Sequence, residues 1–326
     1  MSDAVKVKLH PFTWDDLPTI VDIINRCDAV DGLERGTSES KLRDWWTRPH
    51  VNPEANGFIA TVADKPAGYG LVGLRKGDER SGFSKFHAHG IVLPEYRRQG
   101  IGTRIMAECE RRARARLDEA PTSTVYFNTW TDARLTGVVA MCTRLGMQPV
   151  RYFFEMVYDS PELPAAPLYP PGYGVRTFVR GQDEEITLRT FNTAFRDHWG
   201  HTESPLEEWL HWVNSEYFAP DLAYLGLDPT GKVAGLCLCK IYADENERVG
   251  REQGWVDELG VLREHRHIGL GRALLLEGMG ALRRRGCTHI LLDVDIKNPT
   301  GALRLYESVG FRAWKKAVTY RKTLRR

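Results

Sequence analysis

From residue 270 onward, apolar side chains recur at Leu270, Leu274, Leu275, Met279 and Leu282, with Gly278 in the same stripe and Arg272 and Arg283 to Arg285 off it. That spacing predicts an amphipathic helix. Just before it, residues 257–262 read as a short strand, and a basic stretch with two glycines at i and i+2, Gly269 and Gly271, joins strand to helix. The same order occurs earlier: residues 89–104 run through an apolar segment, Arg97 and Arg98, then Gly100 and Gly102, into another helical pattern. Each copy continues with a strand and a helix closed by glycine, at 125–130 and 138–146 in the first and at 289–296 and 302–310 in the second. Val138, Val139, Cys142 and Leu145 hold the places of Ala302, Leu303, Tyr306 and Val309, and Gly146 and Gly310 fit positions just past a helix end.

The chain therefore reads as an internal repeat. Between the copies, residues 159–174 contain five prolines and no periodicity, as expected of a linker. Each copy opens with a strand, at 5–9 and 173–179, then an acidic turn and a helix. The expected organisation is two α/β domains with mixed sheets, 1–158 and 175–326, on either side of the linker. A length of 326 residues suits two cores of this size.

Composition narrows the function classes. With 42% hydrophobic and 27% charged residues and a formal net charge of +2, the chain reads as globular, with no nucleic-acid partner implied. No apolar run approaches the roughly 20 residues of a bilayer helix, and the first thirty residues carry charges throughout, so a cytoplasmic location without membrane association is expected. The six cysteines form no CxxC pair and no zinc spacing, so no metal is expected and the thiols read as reduced and half-buried. Cys237 and Cys239 alternate with Leu236 and Leu238, which puts both sulfurs on one sheet face as packing groups.

The loops carry the chemistry. Unpaired N–H groups at a helix N-terminus, with glycines that let a ligand approach the backbone, form an anion cradle. Arg266, His267 and Arg272 would add charge-assisted contacts to a pyrophosphate. The pattern is neither the GxGxxG of a dinucleotide fold nor a nucleoside-triphosphate loop. Arg266-His267-Ile268-Gly269-Leu270-Gly271 and Arg97-Arg98-Gln99-Gly100-Ile101-Gly102, each between a strand and a helix, resemble the coenzyme A loop of the GNAT superfamily. The segment from Asn298 to Phe311 in the second copy, with Ala302, Leu305, Tyr306 and Gly310, is similar to that family's later Asn…Ala…LeuTyr…GlyPhe pattern.

The resemblance implies acetyl-CoA as acyl donor and, in each domain, fourth and fifth strands that splay to leave a slot for pantetheine. Leu259 and Val261 would offer backbone groups to it, an amide near Val261 would polarise the thioester, and Asn298 would also contact the coenzyme. In the first domain Val92 would do the same alongside the loop of Arg97, Arg98, Gly100 and Gly102. Tyr306 lies where the family's tyrosine reaches the sulfur as general acid. Asp257 and Glu258 are the candidate bases. Strand alternation lets only one of them face the acceptor, and Glu258 is preferred, acting through water; the competing reading is a strand-edge charge cluster paired with Arg251 or Arg263. The first domain has Cys142, Ala88 and His89 at the matching places, so it is expected to be catalytically silent, with His89 a satisfied edge histidine.

Tandem members with a degenerate first half and an active second half fit this pattern. One of them has a substrate-contacting lysine where Lys240 stands and an acidic residue where this chain has Trp255. In the aromatic-rich helical region 191–212, His198 and Trp199 are expected to be exposed towards the acceptor, whereas Phe195, Trp209 and Trp212 read equally as core. The expected activity is direct transfer of an acetyl group to a primary amine of a small molecule or peptide, by a monomer or homodimer. A protein that binds or senses acyl-CoA without transfer, or a decarboxylase on the same scaffold, is the alternative.

Overall fold

The computed structural model describes residues 6–325; Val5, the expected start of the first strand, lies outside them. In chain order the strands are β1 (Val7–Pro11), β2 (Gly57–Val62), β3 (Lys65–Arg75), β4 (Phe83–Val92), β5 (Thr124–Asp132), β6 (Gln148–Tyr158), β7 (Gly174–Thr177), β8 (Ala223–Leu227), β9 (Val233–Lys240), β10 (Gln253–Val261), β11 (His289–Asp295) and β12 (Arg312–Arg325). The helices are α1 (Leu17–Asp31), α2 (Glu39–Trp46), α3 (Pro53–Asn56), α4 (Ile101–Ala115), α5 (Thr136–Arg144), α6 (Glu184–Ala194), α7 (Leu206–Asn214), α8 (Ala243–Val249), α9 (Leu270–Arg284) and α10 (Ala302–Val309). The expected helical region 191–212 is thus two helices, parted where Gly200 takes φ 74° and Pro205 starts the next helix.

The chain forms two compact units. Unit 1 is the segment up to Arg151 together with the strand from Ala317 onward, and unit 2 is Tyr152–Lys316. The expected domains differ from these by two strand segments. Residues 153–158 of β6 pair antiparallel with β11, and residues 317–325 of β12 pair antiparallel with β5, so each unit is completed by a strand from beyond the boundary read in the sequence.

In unit 1 the strand order is β1-β2-β3-β4-β5-β12, and the only parallel pair described, β4 with β5, holds from Phe83↔Thr124 to His87↔Asn128 and then stops. In unit 2 the order is β7-β8-β9-β10-β11-β6, and β10 pairs in parallel with β11 only from Gln253↔His289 to Trp255↔Leu291. Beyond those residues the two strands part, as the resemblance implied.

The predicted stripe of α9 is buried against β8, β9 and β10: Leu270, Leu274, Leu275, Met279 and Leu282 join one core with Val256, Ile290 and Leu292. Gly278 is needed for this contact, since a Cβ there would lie 2.7 Å from Cys237 Sγ and 2.8 Å from Cys239 Sγ. The cysteines are packing groups, as expected, but all six are free and fully buried rather than half-buried. No helix among the described residues is long and apolar enough to cross a membrane.

Candidate active site

Two backbone devices form the loop of unit 2. His267 takes φ 64° and Gly269, the residue capping α9, takes φ 96°; in unit 1 Arg98 and Gly100 take φ 64° and 82°. The two loops thus share one backbone path, with a non-glycine residue held in the left-handed region in each. In α9 the first intrahelical bond runs from the Ala273 N–H to the Gly269 carbonyl at 3.0 Å, so the amides of Leu270, Gly271 and Arg272 are the orphan donors of the first turn. A Cβ on Gly271 would meet Val261 at 3.5 Å, an ordinary contact. Packing within the protein therefore does not exclude a side chain there, and its absence leaves the amides open to an anion of the size of a pyrophosphate. His267 and Ile268 are exposed at the loop tip, and Arg272 donates to Ser308 Oγ at 3.1 Å.

One expectation is corrected. The Arg266 guanidinium is turned inward: Nε donates to the Val261 carbonyl at 2.9 Å, one terminal nitrogen donates to the Ala194 carbonyl at 2.9 Å, and the other lies 3.6 Å from Asp197. Arg97 does likewise, with Nε on the Val92 carbonyl at 3.1 Å and a bidentate pair to Asp31 at 2.6 and 2.9 Å. Both arginines brace the loop against the end of the preceding strand. The groups left open to an anion are the amides of Leu270, Gly271 and Arg272 and the residues around them. Asp31 and Asp197, the braces' acidic partners, carry no motif that would single them out in the sequence.

The carboxylates sit at an irregularity. Opposite β9, Val256 pairs with Cys239 and Glu258 with Leu238, so Asp257 is an extra residue in β10. This β-bulge reverses the alternation that the sequence reading relied on. Cys239, Cys237, Val256 and Leu259 face α9. Leu236 and Leu238 face α7, in the core of Trp209 and Val213, and Glu258 and Lys240 share their face. Asp257 reaches the same face, because its carboxylate pairs with Lys240 Nζ at 2.6 Å. Both acids therefore enter one cleft, and the expectation that only one could do so is overturned. The paired strand β4 of unit 1 keeps an unbroken register with β3 from Arg75↔Lys85 to Gly68↔Val92.

Around this pair, Trp255 lies across from Lys240 and is half-buried, and the Lys240 ammonium stands 5.0 Å from the Tyr242 ring centroid. Burial, and then repulsion from Asp257, push the Glu258 carboxyl well above the usual carboxylate range, with Lys240 acting in the opposite sense. For Lys240 burial is the largest influence and acts to lower the ammonium, but the charges of Asp257 and Tyr242 and the hydrogen bonds to them together outweigh it, and the net shift is upward. Arg251 and Arg263, the alternative partners, are engaged elsewhere: Arg251 stacks on Trp314 at 5.1 Å and Arg263 pairs with Asp197 at 2.8 Å.

Tyr306 on α10 is buried, with its ring 6.1 Å from that of Phe311. Burial first, and the charges of Cys237 and Glu258 after it, raise its phenol above the ordinary value. Asn298 sits in the turn before α10, and its side-chain oxygen accepts from the Thr300 N–H at 2.8 Å and hydroxyl at 2.6 Å. His198 and Trp199 are half-buried rather than exposed: His198 stacks on Phe195 at 4.5 Å, and Trp199 lies 6.4 Å from Phe153. Burial lowers the His198 imidazole, with Asp295 opposing. Phe195 covers β10, where a Cβ on Gly260 would come within 2.8 Å of its ring.

In unit 1 the corresponding places hold different chemistry. Cys142 is fully enclosed in the core, and His89 Nδ1 shares a 2.9 Å hydrogen bond with the Tyr69 hydroxyl.

A splayed parallel pair, a two-glycine loop entering a helix and a second βα unit, present twice, define the tandem acetyltransferase fold. The family described as Acetyltransferase (GNAT) matches residues 17–147 and 185–311, and the chain belongs to it. It is an N-acetyltransferase. It is 33% identical over 263 residues to a mycothiol acetyltransferase of Thermobispora bispora, covering 79% of this chain and 85% of that protein. It is 32% identical to the mycothiol acetyltransferase of Salinispora arenicola over 97% of this chain and 95% of that one. Among solved structures, a GCN5-related N-acetyltransferase from Sphaerobacter thermophilus superposes with a TM-score of 0.77 at 30% identity, covering 98% and 96% of the two chains. A tandem GNAT protein from the clavulanic acid biosynthesis pathway shares the fold, with a TM-score of 0.70 at 15% identity over 98% of each chain.

Proposed function

We propose that unit 2 transfers the acetyl group of acetyl-CoA directly to a primary amine of a small-molecule or peptide acceptor. The observation that carries this reading is the bulge in β10, which brings Asp257 and Glu258 together on one face of the sheet, with the Glu258 charge felt at the Tyr306 phenol. Acetyl-CoA, when bound, supplies the electrophilic carbonyl and the departing thiolate. The amides of Leu270, Gly271 and Arg272 hold its pyrophosphate, and the unpaired edge of β10 beyond Trp255 takes the pantetheine arm, with an amide near Val261 turned to the thioester oxygen. Glu258 accepts the proton that the acceptor ammonium must lose before it can attack. Its raised carboxyl makes it a stronger proton acceptor than an ordinary carboxylate. Tyr306 stays protonated at neutral pH and gives its proton to the thiolate. In unit 1 the loop of Arg98, Gly100 and Gly102 beside Val92 retains a coenzyme A-shaped backbone without a base or an acid, so that unit binds the coenzyme or serves as structure.

The names of the relatives favour a mycothiol-related acceptor as the first to try, and His198, Trp199, Lys240 and Trp255 as the residues that shape its pocket. The test is a thiol-release assay on the purified chain with acetyl-CoA against mycothiol-related acceptors, aminoglycosides, amino acids, polyamines and peptides, with mass spectrometry of the product. Amide formation on one amine class is the expected result. Coenzyme release without any acylated amine would favour the binding, sensing or decarboxylase readings.

A further inference from the structure

The bulge does more than aim two carboxylates. Two acids on adjacent residues of one face cannot both ionise in a partly buried cleft without strong mutual repulsion. Lys240 is the cation that meets them, and its 2.6 Å contact is to Asp257. Lys240 is itself largely enclosed, with a side-chain exposure of 16%, and rests against Tyr242, so the pair is held in place.

We infer that Lys240 and Asp257 are positioning residues, a fixed charge pair that leaves Glu258 as the carboxyl of the bulge that exchanges a proton. The inference rests on the acetyl-transfer reading for its purpose, though not for its test. The proton comes from the acceptor ammonium to the Glu258 carboxylate, and the resulting acid returns it to solvent. Burial first, and Asp257 after it, raise the Glu258 carboxyl while Lys240 acts to lower it, and the two charge effects have the signs this division requires.

Other groups lie on the same side of the sheet or near it. From α10 comes the neutral phenol of Tyr306. Ile290, Leu292 and Val294 of β11 point into the α9 core, so Asp293 and Asp295 lie on the cleft face, as does Glu155 of β6, which faces Asp293 and is paired with Lys315 at 2.9 Å. Arg266, beyond the end of β10, lies 3.6 Å from Asp197.

The charge pair makes the protonation of Glu258 respond in opposite directions to its two members. The experiment is carboxyl 13C NMR on the full chain labelled with 13C-glutamate, without substrate, with the Glu258 signal identified by its absence in Glu258→Gln. Asp257→Asn should lower the Glu258 midpoint by roughly two to three pH units, and Lys240→Met should raise it by about as much, as unit charges a few ångströms apart at an effective dielectric near 20 require. Lys240→Arg, which keeps the charge, should leave it close to wild type. Asp257→Asn preserves shape and carries the test alone if Lys240→Met does not fold. A midpoint that stays put in Asp257→Asn, or moves the same way in both charge-removing variants, overturns the inference. The titration uses no acceptor, so opposite shifts without transfer to any amine would overturn the acetyl-transfer reading and leave the charge pair standing.

Discussion

Tyr306 shows how much can depend on one hydroxyl. Its ring is core, packed near Phe311 in the unit 2 cluster, while its phenol is the only proton assigned to the departing thiolate. Tyr306→Phe keeps the ring and should lower kcat by roughly 10²- to 10⁴-fold with little change in coenzyme affinity. Steady-state thiol release with a thermal melt checks this, and a folded variant of near-normal kcat would remove the residue from the mechanism. Glu258 gives a second expectation, in which activity and stability part. Its folded-state value is raised, so the folded chain holds a proton that the unfolded chain gives up. Stability then falls as pH rises from the ordinary carboxylate range to the raised value. Glu258→Gln should therefore abolish most turnover yet raise the melting temperature at pH 8, with a smaller gain at pH 4. In the wild type, kcat/KM should fall as pH drops through the raised value, with the limb absent in Glu258→Gln. The proposed role of Tyr306 could be read from the sequence because the residue stands inside a motif. The inward turn of Arg266 was not, because a motif records which residue is present and not which way its donors point.

At the scale of elements, the loop and the bulge behave differently. The loop's proposed function lies in its backbone, so Gly269→Glu should weaken acetyl-CoA binding at least ten-fold by calorimetry, through strain at φ 96° and repulsion of phosphate. Unchanged affinity would relocate the coenzyme. The paired glycines before an amphipathic helix announced this element plainly. The bulge was written more faintly. Val256, Leu259 and Val261 face the α9 core at spacings of three and then two, and a strand of regular pleat admits only even spacings on one face. That slip in parity was the available signal for two carboxylates on one side. Reading Asp257 and Glu258 by strict alternation missed it. Gly278 records the same closeness of packing in another form: Gly278→Ala would force a methyl onto Cys237 and Cys239, and should cost about 1–3 kcal/mol in denaturant unfolding without altering the chemistry.

On the scale of the molecule, the repeat has produced two units of one backbone plan and unequal chemistry. Cys142→Ala removes a buried sulfur at the place that matches Tyr306, and should lower stability by about 1 kcal/mol while leaving kcat nearly intact. A loss like that of Tyr306→Phe would make unit 1 catalytic. The duplication was legible from the loops, but the assignment of β6 and β12 was not, since pairing between distant strands leaves no local pattern. Fragments cut at the boundaries read from the sequence, 1–158 and 175–326, should each fail to give a folded monomer by gel filtration and circular dichroism. The exchange also governs the order in which the protein is made. Unit 1 is translated first, yet β5 lacks its antiparallel neighbour until residues 317–325 have been synthesised, after the whole of unit 2. For that interval the nascent chain carries a bare sheet edge, the kind of surface that invites pairing with other chains. Slowing the ribosome within unit 2 should therefore lower soluble yield more than slowing it within unit 1, because it lengthens the time that edge stands open.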